Sequence, residues 1–310
     1  MNKDLRIIYM GTPEFAVPSL ASLVEGGYNV VAVVTAPDKP KGRGRKLGTT
    51  PVKDYAVEKG IPVLQPERLK APEFIEELSS YKADLQVVVA FRMLPEVVWS
   101  MPQMGTFNLH ASLLPQYRGA APINWAIING EKKTGLTTFL LKHEIDTGSV
   151  LLQVEEPINE DDNVGTLYAR LMEKGGSLVT RTVDALADGS VNPVPQPENV
   201  EIKHAPKIFK ETCKIDWNRP TAEVYDFIRG LSPYPAAWTD SIEDGKTHKV
   251  FLTEKESSGE QDSKKAGEFV TDGKKFLKIR TLDGYINIKE LQAPGKRRMG
   301  VEDFLRGNKL

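Results

Sequence analysis

"LRIIYMGTPEFAVPSLASLVEGGYNVVAVVTA", residues 5–36, is the stretch that decides the fold. It begins with a continuous apolar run, Leu5–Met10, which stops at Gly11 as a strand buried on both faces would. Phe15, Leu20, Leu23 and Val24 then recur at helical spacing, and Gly26-Gly27 ends the pattern. A second apolar run, residues 29–36, follows. Strand, helix and buried strand in about thirty residues is a βαβ unit, which requires a parallel sheet with helices on both faces.

The same arithmetic continues outward. "IPVL" (61–64), "DLQVVVAF" (84–91) and "TFNLH" (106–110) read as further strands, and "APEFIEELSSY" (71–81) as an amphipathic helix. From residue 136 the signal turns β-rich, with "LTTFLL" and "GSVLLQVEE" flanking the polar turn "KHEIDTG" (142–148). A helical pattern spans 163–189, although Gly175 and Gly176 weaken its middle. Four prolines between 193 and 206 mark an extended linker. Beyond it, short strands alternate with turns, and Asp-Gly at 272–273 and 283–284 are hairpin signals. The expected fold is therefore α/β. A Rossmann-like parallel-sheet domain (1–189) is followed by a linker (190–206) and a small β-barrel domain (207–310).

At 310 residues the chain is long enough for two domains, and 40% hydrophobic with 27% charged residues is an ordinary globular balance. A single cysteine, Cys213, excludes an internal disulfide framework and any cysteine-cluster metal site. The N-terminus carries no signal-peptide pattern and no run approaches membrane length, so a cytoplasmic protein with no membrane association is expected. The four histidines lack paired ligand spacing, so no metal is expected. Residue 11 follows the first strand, yet neither G-x-G-x-x-G nor a Walker loop occurs.

Two places carry chemistry. Asn108 and His110 lie two apart on a strand, so their side chains share a face, at the carboxyl edge where such sheets bind ligands. An amide and an imidazole together suit a developing oxyanion, and Asp146 in the following turn is a carboxylate that would orient the ring. Spacing alone leaves open a plainer role for each: a satisfied core histidine, a capping asparagine and an Asx-turn aspartate. His143 and Glu144, among polar neighbours, read as solvated. The second place is "DKPKGRGRKLGTTPVK" (38–53), where Lys39, Lys41, Arg43, Arg45, Lys46 and Lys53 face a single Asp38. Such a loop is either a solvated surface excursion or an arm for a phosphate backbone. Residues 203–214 and 295–298 add positive charge in the second domain, so a polyanion is a plausible partner despite the net charge of −1.

Asn108-x-His110 followed by "SLLPQYRGAAP", together with "IDTG" ending at Gly148, resembles the signature of the 10-formyltetrahydrofolate-dependent formyltransferases. "IIYMGTPEFAVPSL", the basic loop, "APKI…IDW", "IRGLSPYPAAW" and "DFLRG" are similar to the branch of that family acting on initiator methionyl-tRNA, and these matches span nearly the whole chain. The resemblance implies formyl transfer from 10-formyltetrahydrofolate, as cosubstrate, to the methionine amine of that tRNA. Asn108, His110 and Asp146 would then be catalytic. Ser112, Leu113, Leu114 and Pro115 would form the folate-binding turn, and Phe91, Arg92, Met93 and Leu94 the wall for the pterin. It further implies an oligonucleotide-binding-type barrel, with Lys41, Arg43, Arg45, Lys46, Lys207 and Lys210 on the tRNA, in a monomer. The chain departs from many of the tRNA-directed members at Phe91-Arg92, where they carry Tyr-Gly. A relative acting on a small amine would share the three catalytic residues but has no use for the basic loop.

Overall fold

The computed structural model describes residues 3–41, 46–197, 199–243, 245–257, 263–308 and 310, without the side chains of Lys41 and Lys46. Two compact units result: Met1–Arg118 with Gly135–Glu156 and Tyr168–Lys203, and Gly119–Thr134 with Pro157–Leu167 and His204–Leu310.

The first unit is built on a seven-stranded sheet. In chain order, β1 (Ile7–Gly11) leads through α1 (Val17–Glu25) to β2 (Val30–Val34), as residues 5–36 predict. A ribbon of β3 (Lys39–Lys41) and β4 (Lys46–Gly48) precedes α2 (Pro51–Glu58) and β5 (Val63–Leu64). Then follow α3 (Pro72–Ser80), β6 (Leu85–Val89), α4 (Glu96–Trp99), β7 (Thr106–His110) and β8 (Arg118–Gly119). After α5 (Pro122–Ile128), which belongs to the second unit, come β9 (Lys133–Leu140), β10 (Val150–Pro157) and α6 (Val164–Ala187). The sheet order is β10-β9-β7-β6-β1-β2-β5. Strands β7, β6, β1, β2 and β5 run parallel, and β9 pairs antiparallel to β7. The order reverses beside β1, between β6 and β2, so the carboxyl ends of β1, β6 and β7 frame the crevice in which such sheets bind ligands. Residues Ile7, Ile8, Tyr9 and Met10 are fully buried, which is why this strand reads as an unbroken apolar run.

Helix α6 is continuous through the two glycines that weaken it on propensity. A Cβ on Gly176 would sit 2.2 Å from Ser22 Oγ and 3.1 Å from Pro18 O, and one on Gly175 3.0 Å from Leu109 Cδ2. The glycines let α6 lie against α1 and the sheet, and that packing outweighs about 1 kcal/mol of lost propensity for each.

In the second unit, β11 (His204–Ala205) precedes α7 (Thr221–Leu231), β12 (Ala237–Glu243), β13 (Lys246–Ser257), β14 (Phe269–Thr271), β15 (Leu277–Arg280), β16 (Gly284–Gln292), β17 (Met299–Gly300) and α8 (Val301–Gly307). The strands form a curled antiparallel half-barrel in the order β12-β13-β16-β15-β14, with β17 on β16. Both Asp-Gly signals fall in hairpin turns. Asp272 Oδ1 accepts from the amides of Lys274 and Lys275, and Asp283 Oδ1 from the amide and hydroxyl of Thr221. Helices α7 and α8 cover the core of Val224, Ile228, Val250, Ile279, Ile286, Leu291 and Phe304.

His248 is fully enclosed there, edge-on to the Phe304 ring at 5.5 Å. Burial holds its pKa below the ordinary 6.5, against the pull of Glu243. Protonation is thus disfavoured in the fold but not in the unfolded chain, so stability is complete above about pH 6.5 and is lost as pH falls below it. Urea unfolding followed at pH 7.5 and 5.5 is expected to show a smaller acid-induced loss for His248→Leu than for the natural chain. Equal losses would mean that His248 does not carry this dependence.

Candidate active site

Strand β7 ends on His110, and the register against β6 (Val89 opposite Leu109) puts the residues after β6 beside it. Asn108 and His110 share a strand face. Asn108 is half-buried, and its amide makes no hydrogen bond among the described residues. His110 is 7% exposed and packs edge-on to Phe139. Its Nε2–H donates to the Tyr117 carbonyl at 2.8 Å, and its Nδ1 faces Asp146 Oδ2 at 4.0 Å. One ring nitrogen is therefore committed to the protein. The other is left beside a carboxylate, near enough for charge attraction but too far for a direct hydrogen bond. The plainer reading of His110 as a satisfied core histidine accounts for only half of the ring.

Both groups beside the imidazole are presented by left-handed backbone, at Tyr117 (φ 60°) and Asp146 (φ 56°). Asp146 has a short polar side chain suited to that conformation, whereas a tyrosine adopts it only where its surroundings impose it. Gly148 admits no side chain, since a Cβ would lie 1.5 Å from Leu140 O. His143 is 74% exposed, with Nε2 3.1 Å from Glu96 Oε2, which is the solvated position expected for it.

The turn after β7 is held from behind. Thr137 Oγ1 donates to Ser112 O at 2.7 Å and accepts from the Leu114 amide at 3.1 Å. Gln153 Nε2 donates to Leu114 O and to Thr137 Oγ1, both at 2.9 Å. Ser112 is fully buried and its hydroxyl donates to Gln116 O, so it serves the turn itself; Leu114 is buried too, and Leu114–Pro115 is a cis bond. Leu113 is half-buried and is the more accessible of these apolar side chains. After β6, Phe91 packs on the core while Met93 is 73% exposed and Leu94 buried. Arg92 turns its guanidinium onto the carbonyls of Pro66 and Glu67 and lies over the Phe91 ring at 5.7 Å. Its charge is thus directed at those carbonyls.

Of the basic loop, Arg43 and Arg45 lie outside the described residues, and Lys41 and Lys46 are an opposed pair in the β3–β4 ribbon. The segment read as a loop without regular structure is thus a ribbon at its base. Asp38 holds that base, binding Lys53 Nζ and accepting from Gln65 Nε2 at 2.8 Å. Lys53 is accordingly a structural cation. Lys207 and Lys210 are exposed, Lys207 over the Phe209 ring at 5.4 Å. Among the described residues no group of three or more His, Cys, Asp or Glu side chains is placed to hold a metal, and no helix is long and apolar enough to cross a membrane.

Sequence reasoning missed the Tyr117 carbonyl, Thr137, Gln153, and a pair in the proline-rich stretch's reach, Arg118 and Gln196. Backbone acceptors leave no signal in a sequence, and a glutamine between prolines looks like linker.

Residues 5–183 match the formyl transferase family and residues 207–309 the formyl transferase C-terminal domain. The methionyl-tRNA formyltransferase of Bacteroides fragilis is 59% identical over 309 residues, 98% of this chain and 95% of that one. That of Phocaeicola vulgatus is 60% identical over 311 residues, 98% and 96% of the two chains. Among solved structures, HypX from Aquifex aeolicus in complex with tetrahydrofolic acid superposes with a TM-score of 0.64 at 20% identity, over 97% of this chain and 47% of that one. This chain therefore spans just under half of HypX. The N-formyltransferase of Helicobacter canadensis, solved with folinic acid and dTDP-3-aminofucose, superposes with a TM-score of 0.66 at 18% identity, over 95% of this chain and all of that one. At these identities the structures share the fold.

Proposed function

Because the chain belongs to the formyl transferase family, we propose that it transfers the formyl group of 10-formyltetrahydrofolate to the α-amino group of methionine on initiator methionyl-tRNA. The product is N-formylmethionyl-tRNA for translation initiation. Near-full-length identity of 59% to a methionyl-tRNA formyltransferase carries the reading. The amide of Asn108, which makes no hydrogen bond among the described residues and shares a strand face with His110, supports it.

The folate supplies the formyl carbon, and the donor set fits it. Leu113 in the turn after β7 and Met93 in the turn after β6 offer apolar surface to it. The amine attacks the formyl carbon, the carbon's bond to the folate nitrogen breaks, and a proton passes from the amine to that nitrogen. No covalent bond to the protein is needed, since the amine is the nucleophile. Negative charge gathers on the formyl oxygen, where Asn108 Nδ2–H donates without changing charge. Nε2 of His110 is occupied by Tyr117 O, so Nδ1 is the nitrogen that donates to the oxyanion and exchanges the proton. The 4.0 Å gap to Asp146 leaves it free to do so, and the carboxylate stabilises the imidazolium when it forms.

The C-terminal domain, residues 207–310, holds the tRNA in this proposal, with Lys207 and Lys210 on its backbone and the basic loop at 38–53 adding to the grip. The protein acts as a monomer in the cytoplasm. The deciding assay mixes it with 10-formyltetrahydrofolate and methionyl-tRNA and measures formylmethionyl-tRNA, with initiator and elongator tRNA side by side. No product from folded protein would overturn the reading. Neutralising Lys41, Arg43, Arg45 and Lys46 together is expected to raise KM for the tRNA on the order of tenfold at low salt, an effect that added salt diminishes. An unchanged KM would point instead to a small amine as substrate.

A further inference from the structure

The described residues of the stretch 190–203 belong to the first unit and are mostly exposed, but Gln196 is buried. Val194 exchanges both backbone hydrogen bonds with Val150, each at 2.8 Å. Two residues on, Gln196 is 8% exposed and its amide is saturated. Oε1 accepts from Arg118 Nε at 3.1 Å and Nη2 at 2.6 Å, while Nε2 donates to Asp146 O and to Gly148 O, both at 2.8 Å. This orientation is the one the chemistry allows. Reversed, the amide would set an oxygen against two carbonyls and an NH2 against a guanidinium.

The far end of the stretch grips the other side of the pair. Lys203 O accepts from the Tyr117 amide at 2.6 Å, and the Gln116 side chain binds Glu201 O and the Lys203 amide, both at 2.9 Å. Tyr117 O is the acceptor for His110 Nε2–H. The two left-handed residues that present the acceptor for His110 and the carboxylate beside it are thus both tied to one segment. Left-handed backbone at a non-glycine persists only where its surroundings over-determine it.

We propose that Gln196 is a positioning residue for formyl transfer: by binding the carbonyls of Asp146 and Gly148 it holds the Asp146 carboxylate at its station beside His110 Nδ1. Arg118 in turn locks the Gln196 amide. This inference rests on the formyl-transfer reading, and it extends that reading to a segment 50 residues from Asp146 in the chain.

The test compares Gln196→Ala and Gln196→Glu in the natural chain and in an Asp146→Asn background. Asparagine is chosen because it keeps the side-chain size and tolerates left-handed backbone. Gln196→Ala is expected to lower kcat by about ten- to a hundredfold, with KM for both substrates nearly unchanged. Gln196→Glu keeps the acceptor for Arg118 but loses both donors and sets charge against two carbonyls, so it falls at least as far. In the Asp146→Asn background the alanine change costs little more, because the group it positions has already lost its charge. A residue with a merely structural role would instead give losses that multiply and move KM. Unchanged kcat, or losses that multiply, overturns the proposal. Amide exchange of residues 142–149 supplies a readout independent of the acceptor. It is expected to speed up in Gln196→Ala, and unchanged exchange also overturns the proposal. A natural chain inactive on methionyl-tRNA overturns the functional reading instead, and the exchange result then decides the role of Gln196 alone.

Discussion

Replacing His110 by alanine is expected to lower kcat for formylation of methionyl-tRNA by about 10²–10⁴-fold, with KM for the tRNA little changed. The ring, at the carboxyl edge of β7, can both donate to an oxyanion and carry a proton. Half of its hydrogen-bonding capacity is anchored on Tyr117 O, which fixes the plane in which the other half works. Asp146→Asn should lose less, since the imidazole remains. The double variant should be hardly worse than His110→Ala, because the carboxylate acts through the ring. Single-turnover rates with saturating protein separate this from weakened tRNA binding. The alanine also removes the His110 donor from Tyr117 O and opens a gap beside Phe139, so a urea midpoint belongs with the rates. A His110→Ala protein that turns over like the natural one would remove the histidine from the chemistry.

Gly148→Ala is expected to be nearly as damaging, for a steric reason. The added methyl would sit 1.5 Å from Leu140 O and 2.7 Å from Leu140 C, which belong to the backbone of β9 and cannot swing aside as a side chain would. The segment carrying Asp146 must therefore move, and the carboxylate leaves its place near His110. Activity should fall to about the level of Asp146→Asn, and stability by about 1–3 kcal/mol from overpacking. Gly189→Ala is the control. Its φ is +71° but nothing lies within 4 Å of a Cβ, so the cost is confined to about 1–2 kcal/mol of backbone strain with activity intact. Full activity in Gly148→Ala would mean that the segment's position does not matter to catalysis.

The strands of the parallel sheet and helices α1, α3 and α6 were legible because their signals are local. A buried parallel strand is an apolar run, an amphipathic helix repeats every three to four residues, and Asp-Gly between alternating residues is a turn. The Asn108–His110 pair was legible for the same reason: a two-residue spacing on a strand puts both side chains on one face. Asp146 was legible through the turn between two β segments and the family resemblance. Gly175 and Gly176 misled because propensity describes an isolated helix, and their use is to admit α1, whose residues lie some 150 positions away.

The sequence by itself thus determined the parallel sheet, the division into an α/β part and a β part, and that Asn108 and His110 share one strand face. Only the tertiary structure decided which nitrogen of His110 is occupied, which backbone conformation presents Asp146, and that Gln196 reaches the carbonyls of Asp146 and Gly148. Those depend on hydrogen bonds to carbonyls brought close by folding. Every residue carries a carbonyl, so side-chain order alone does not say which of them a distant glutamine or histidine will meet.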